Sequence, residues 1–264
     1  MKDQAMEIAQ AAGVNRRLAA LREYLQAEIL FALQNRNAFL RMAFIGGTAL
    51  RFLHRIARYS EDLDFSAIGK KSFDPGLLWK GVAADLRDAG YKISAHPRKK
   101  AGVSGIFFRF EGILAEAGLS PHKQEKLAVR VEVDIRPPAG ATYETTLVRR
   151  HFMLSLRHHD LPSLFAGKCH ALLQRRYAKG RDIYDLAWYL TQPDLAPNLA
   201  LLANALRQTG RQSSPPTATD WRTILAHRVE SLDWKNITKD LTHFLENPRE
   251  AASIQKESIL RLLR

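Results

Sequence analysis

The stretch that most restricts the fold runs from Met42 to Phe65, MAFIGGTALRFLHRIARYSEDLDF. A short apolar run, Met42 to Ile45, is stopped by Gly46-Gly47 and followed at once by Ala49, Leu50, Phe52 and Leu53 at helical spacing. The pattern predicts a strand, a tight turn and a helix. Leu63 and Phe65 then flank Asp64 in a segment that alternates apolar and acidic residues, as a half-buried strand does. Alternation sends Asp62 and Asp64 to one face with Leu63 behind them. Two carboxylates so placed repel each other unless a divalent cation lies between them. Magnesium, or manganese in its place, is hard enough to prefer carboxylate and phosphate oxygens. At the turn, Gly46 and Gly47 leave backbone N–H groups open to a phosphate, and a helix starting near Thr48 aims its positive end at the same spot. A triphosphate is the ligand this combination anticipates.

Transfer of a phosphoryl or nucleotidyl group asks little covalent chemistry of a protein; it needs positioned phosphates and neutralised charge, which metal ions supply. A third carboxylate usually bridges. Leu127 to Ile135, LAVRVEVDI, offers one, because Val129, Val131, Val133 and Ile135 take one face of a strand while Arg130, Glu132 and Asp134 take the other. Glu132 is the first candidate and Asp134 the second.

Elsewhere, Val14, Leu18, Leu21, Leu25, Ile29 and Leu33 recur at helical spacing and predict an amphipathic N-terminal helix. Asp74 reads as a helix N-cap with Pro75 at the first helical position, and Gly90 closes that helix. Tyr91 to Ala95 and Ile106 to Phe110 read as further strands. After Pro137-Pro138 the strand signals thin out to Phe152 to Leu156. Helices follow at about 161–175, 181–190, 199–206, 220–232, 237–245 and from 251 onward, with Gly210 to Thr219 as an exposed loop. The expected class is α+β: a core with a mixed sheet over residues 1–140, preceded by the N-terminal helix, and a mainly helical domain over 141–264.

With 264 residues, 46% of them hydrophobic, the chain can bury a core as one large domain or two small ones. No apolar run approaches the roughly 18 residues of a membrane span. The opening MKDQAMEIAQ lacks the apolar core of a secretory signal, so the chain reads as cytoplasmic with no membrane partner. Cys169, the single cysteine, excludes an internal disulfide or a thiolate zinc site and reads as a small core residue. A net charge of +13 favours a polyanionic partner. Taken singly, Arg98-Lys99-Lys100, Arg149-Arg150 and Arg175-Arg176 each read as solvated faces. His151, His158 and His159 lack the acidic pattern of a metal hydrolase and read as solvent-exposed.

Phe44 to Phe65 also resembles the signature of the AbiEii/MenT-like toxin nucleotidyltransferases. In that family a glycine-rich turn before a helix and an Arg-x-Ser-x-Asp-Leu-Asp-Phe segment form the nucleotide and metal site of a polymerase-β-like core. Arg58, Ser60, Asp62, Leu63, Asp64 and Phe65 stand at those positions. Thr48 follows Gly47 where many nucleotidyltransferases have serine, so its hydroxyl would take over the phosphate contact. The resemblance continues in Leu161 to Leu190, where the family carries a lysine on one helix, an arginine, and then an Arg-Asp-x-x-Asp-Leu helix; Lys168, Arg175 or Arg176, Arg181, Asp182 and Asp185 match. It spans Phe44 to Leu190, weakly between Ile68 and Leu127.

What the resemblance implies is a catalytic set of Asp62, Asp64, Lys168 and Asp182, joined by Glu132. Asp62, Asp64 and Glu132 would bind the metal. Gly46, Gly47, Thr48, Arg58, Ser60, Lys168 and Arg181 would surround a nucleoside triphosphate, with Lys168 and Asp182 supplied by the second domain. Asp185 stays open between a site role and an internal arginine partner. The family's activity is transfer of a nucleotide to a cellular acceptor, transfer RNA at its 3′ end in some members, by the toxin of a toxin–antitoxin or abortive-infection system. The net charge agrees with an RNA acceptor, and a cognate antitoxin is the expected protein partner. Two other readings stand beside it: modification of a small molecule such as an antibiotic, and an inactive nucleic-acid-binding protein, against which intact Asp62, Asp64 and Lys168 argue.

Overall fold

A computed structural model of the chain describes residues 1–69, 74–210, 216–217 and 219–264. Two compact units make it up: residues 1–55, 59–137 and 145–158 form the first, and residues 56–58, 138–144 and 159–264 form the second.

The first unit begins with α1 (Lys2–Ala11) and α2 (Arg17–Asn35), then β1 (Met42–Ile45), α3 (Gly46–His54), β2 (Leu63–Ala67), α4 (Gly76–Asp88), β3 (Ile93–Lys100), β4 (Val103–Glu111), the single turn α5 (Ile113–Glu116) and β5 (Lys126–Asp134). The strands β6 (Tyr143–Arg150) and β7 (Phe152–His159) complete a seven-stranded sheet in the order β3-β4-β5-β2-β1-β7-β6. It is the mixed sheet expected from sequence: β1 runs antiparallel to β2 and parallel to β7, β2 runs parallel to β5, and β5, β4 and β3 are antiparallel neighbours.

Alternation decides which face is covered. Leu63, Phe65, Ile106, Phe108, Val129, Val131 and Val133 point into the core and are buried, and α2 packs against α4 and β5. Leu21, Leu25, Ile29 and Leu33 of the expected stripe have no solvent exposure, yet Val14 and Leu18 are exposed. For Val14 the reason is local, since it lies in a 3-10 turn ahead of α2. Nor is α2 amphipathic in the simple sense, because Glu23, Gln26 and Glu28 are buried too. The unforeseen α1, with only Ala5 and Ala9 buried, packs against it.

Both outermost strands depart from expectation for one reason. A strand at the end of a sheet needs few apolar residues, so β6, YETTLVRR, buries only Val148 and gives no strand signal. At the other end, β3 starts two residues later than expected and runs on through His96, Pro97, Arg98, Lys99 and Lys100, all exposed; proline is tolerated there because an edge residue can leave its missing N–H on the open side. Two boundaries also move. Pro75 is the cap residue and α4 begins at Gly76, although Asp74 still accepts a hydrogen bond of 3.0 Å from the Gly76 N–H. At the other, β5 stops at Asp134 and leaves Ile135 exposed.

The second unit is helical: α6 (Leu161–Gln174), α7 (Gly180–Leu190), α8 (Leu199–Gln208), α9 (Trp221–Glu230), α10 (Trp234–Thr242) and α11 (Lys256–Leu262). Asp160 caps α6 by accepting from the Ser163 N–H at 2.9 Å. Phe165 stacks on Tyr189 with ring centres 4.5 Å apart, and Trp221 meets Phe165 edge-on. Asp233 caps α10, which begins three residues earlier than the apolar pattern suggests, and the last expected helix is divided into a 3-10 stretch, Pro248–Ser253, and α11. The expected loop from Gly210 to Thr219 lies largely outside the described residues. Among those described, no helix is long and apolar enough to cross a membrane.

Candidate active site

In the first unit the strand β1 passes into α3 with no intervening turn: Ile45 is the cap and Gly46 already belongs to the helix. The expected Gly-Gly turn is therefore a single residue, Gly46, with φ +78°. That left-handed conformation costs a side-chain-bearing residue about 1–2 kcal/mol. Glycine is needed at this position for a second reason. A Cβ there would stand 2.8 Å from Asp64 Oδ2 and 3.2 Å from Asp64 Cβ, so the Asp64 carboxylate rests against the start of α3. The first N–H groups of a helix have no partner within it, and no side chain caps α3. The first amides of the helix, its positive dipole end and the carboxylate thus meet at one place.

Asp64 is paired across β1 with Ile45 and across the parallel ladder with Glu132. Glu132, not Asp134, is the acid beside it; Asp134 stands opposite Ser66, where burial raises its pKa and its side chain accepts from the Arg136 N–H at 2.9 Å. Asp62 lies on the same face just ahead of β2, as alternation predicts. The residue that organises this face is Arg130, which in sequence is marked only as a neighbour of the acids on its strand. Its guanidinium donates to Asp62 Oδ2 at 2.5 Å and to Glu132 Oε1 at 3.3 Å, and the flanking carboxylates push its pKa further up. Gly105 is a further site residue that the sequence expectations omit, although a glycine inside a strand signals a close approach: it faces Glu132, and a Cβ on it would meet Glu132 Cγ at 3.2 Å.

The remaining expected site residues stand as follows. Thr48 is buried, and its hydroxyl donates to the backbone carbonyl of Asp62. That bond ties the first turn of α3 to the entry of β2. The Ser60 carbonyl accepts from Gln26 Nε2 at 3.1 Å. Arg58, expected at the nucleotide, belongs to the second unit and is 1% exposed; it grips Asp185 with two hydrogen bonds of 2.7 and 2.6 Å. Asp185 is thus an arginine's internal partner. It also meets Lys168 Nζ at 2.7 Å, while Lys168 reaches Asp182 at 2.8 Å and Arg175 pairs with Asp182 as well. The sequence Arg58, Asp185, Lys168, Asp182, Arg175 is a chain of alternating charge. Burial works against each charge, but the two carboxylates hold Lys168 above its usual pKa, and Lys168 and Arg175 hold Asp182 well below the carboxylate range. Arg181 stacks on Phe244, 3.8 Å from the ring centre.

Among the described residues no three His, Cys, Asp or Glu side chains form a metal cluster. On the sheet face the reason is visible, since Glu132 turns to Arg130. The donor chemistry nonetheless suits a hard cation: magnesium is commonly held by one or two carboxylates together with substrate phosphates and water, and needs no all-protein cage. The histidines were expected at the surface, and two are not: His158 and His159 are buried, and His158 Nε2 lies 2.8 Å from the Thr146 hydroxyl. Cys169 is a buried thiol whose pKa burial raises.

The family model described as nucleotidyl transferase AbiEii toxin, type IV TA system, matches residues 28–256 of the chain. Curated proteins gave no match. Among solved structures the chain resembles the nucleotidyltransferase toxin MenT4 of Mycobacterium tuberculosis at 17% identity and a TM-score of 0.62, covering 100% of this chain and 88% of that one. It also resembles a structure from Helicobacter pylori described as a candidate nucleotidyltransferase (17% identity, TM-score 0.54, 93% and 96% covered) and JHP933 of Helicobacter pylori (18%, 0.53, 93% and 93%). At these identities the likeness concerns the fold.

Proposed function

Because the chain belongs to the AbiEii family of nucleotidyltransferase toxins of type IV toxin–antitoxin systems, we propose that it transfers a nucleotide from a nucleoside triphosphate to an RNA acceptor, using a divalent cation held by Asp62 and Asp64. Transfer RNA, at its 3′ end, is the acceptor we favour, magnesium the cation and the cytoplasm the place. The observation that carries the reading is the contact of Asp64 with Gly46 at the start of α3, beside Glu132 in register. It puts the acid that would hold the cation next to the amides that would hold phosphate.

The cation, when bound, supplies charge neutralisation and acidifies the attacking hydroxyl. The chain's own residues do the rest. Gly46, Gly47 and Thr48 offer backbone N–H groups to phosphate oxygens. Glu132, with Arg130 withdrawn, can add a third carboxylate or accept the hydroxyl proton. We assign Arg58, Lys168 and Asp182 a scaffold role within the second unit, since each is committed to an internal ion pair. The family also implies a cognate antitoxin as partner.

The test is to incubate the purified protein with each labelled nucleoside triphosphate, magnesium and total RNA. Label on RNA that depends on magnesium and is lost in Asp64→Asn supports the reading. Label confined to small molecules, or RNA labelled equally by Asp64→Asn, overturns it.

A further inference from the structure

The face that carries the carboxylates does not end at β5. Strand pairing extends the row of Asp64 and Glu132 through Gly105 to Arg98, and the row of Arg130 through Phe107 to His96. Residues opposite one another in paired strands share a face. Two contacts agree: the absent Cβ of Gly105 would touch Glu132, and the Arg98 guanidinium lies over the Phe107 ring, 5.6 Å from its centre. The same alternation adds Lys100 and Arg109. Apart from Arg130, which sits among the acids on β5, this one surface is therefore divided by charge, with Asp62, Asp64, Glu132 and Asp134 at β2 and β5, and Arg98, Lys100 and Arg109 at β3 and β4. The acid on the hairpin side, Glu111, is already held by Lys126 at 2.5 Å. His96, Arg98, Lys100 and Arg109 are exposed and Phe107 is half-buried.

We infer that the β3–β4 hairpin seats the acceptor as a single-stranded RNA end, with phosphates along Arg98, Lys100 and Arg109, one base on Phe107, and the terminal hydroxyl led toward Asp62 and Asp64. The inference rests on the RNA-directed reading above and adds where the RNA lies. Cations interleaved with an aromatic ring are what a single strand requires, because its bases are free to stack and its phosphates stay within reach. From β3 to β2 is three strand spacings, roughly 14 Å, so a strand crossing the hairpin spans the distance from the basic edge to the carboxylates. Gly105, itself buried, adds no side chain between Glu132 and Arg98.

The test measures binding of a fluorescent single-stranded RNA with a free 3′ hydroxyl to the full-length protein, without nucleoside triphosphate, over a salt series. The combined Arg98→Ala, Lys100→Ala, Arg109→Ala variant should bind at least tenfold more weakly and flatten the salt dependence by about 2 in slope, at roughly 0.7 for each single-strand phosphate left without its cation. Phe107→Ala should weaken binding about fivefold or more, with Phe107→Tyr restoring it. Arg149→Ala, an exposed arginine in β6 at the other end of the sheet order, should change little. Unchanged affinity and slope in the triple variant, or an equal loss in Arg149→Ala, overturns the inference. If the wild-type protein labels RNA and the hairpin variants label it equally well, the hairpin assignment alone falls; if the wild type labels no RNA, the parent reading falls with it.

Discussion

Asp64 leans on Gly46 so closely that a β-carbon on residue 46 would lie 2.8 Å from its Oδ2. Gly46→Ala therefore combines a left-handed strain of about 1–2 kcal/mol with displacement of the carboxylate. Stability should fall by that amount in denaturant titration, and RNA labelling should fall more than tenfold at a temperature where the variant is folded. A wild-type rate in a folded Gly46→Ala would remove this contact from the chemistry.

Arg130 pairs with both Asp62 and Glu132. In Arg130→Met the acids lose that partner. Since the pair is about one-third exposed, the loss should be about 1 kcal/mol. Magnesium should then raise the melting temperature of the variant more than that of the wild type. Equal magnesium-dependent shifts would argue against a shared site.

Asp185 is fully buried between Arg58 and Lys168. Asp185→Asn leaves buried positive charge uncompensated and should cost about 3–5 kcal/mol in denaturant unfolding. Lys168→Met, by the same argument, should lower stability and leave the apparent KM for nucleotide unchanged at a permissive temperature. A raised KM with intact stability would return Lys168 to the nucleotide.

Glu23 accepts from Arg51 at 2.6 Å and from Arg150 at 2.9 and 2.7 Å, with His151 nearby at 3.7 Å. Against the cost of burial, these partners bring its pKa down from 4.5 to about 2. A depressed carboxylate contributes stability that is complete above the unfolded pKa and disappears as pH falls through the folded one. Wild type should therefore exceed Glu23→Gln by about 3 kcal/mol above pH 4.5, and the gap should close toward pH 2. A gap independent of pH across that window would show that Glu23 acts through packing alone.

The legible parts of the molecule are those whose signal is local. Strand β1, helix α3 and strand β2 announce themselves through apolar periodicity broken by glycine, and α6 and α7 through their stripes and, for α6, its cap. The alternation that puts Asp62 and Asp64 on one face needs three residues of sequence. The polar edge strands give little such signal, β6 none and β3 only over its first residues, because an edge buries too little to mark itself. Neither do Arg58 with Asp185, nor Glu23 with Arg150, pairs 127 residues apart whose meeting depends on the fold. Thr48 illustrates the remaining difficulty: a hydroxyl at a helix start looks the same in sequence whether it faces a ligand or, as here, the neighbouring main chain.

The ladder between β2 and β5 has a consequence for how the protein is made. Asp62 and Arg130 are 68 positions apart, as are Asp64 and Glu132, and parallel pairing over such a distance closes slowly. A nascent polypeptide emerging from the ribosome carries its two aspartates and its glycine bend long before the partner strand exists. Until that strand is synthesised and zipped into place, the acids have neither guanidinium nor glutamate beside them, and a truncated product ending before residue 130 lacks the assembled centre. Any chemistry that needs the three carboxylates together thus waits on completion of the sheet.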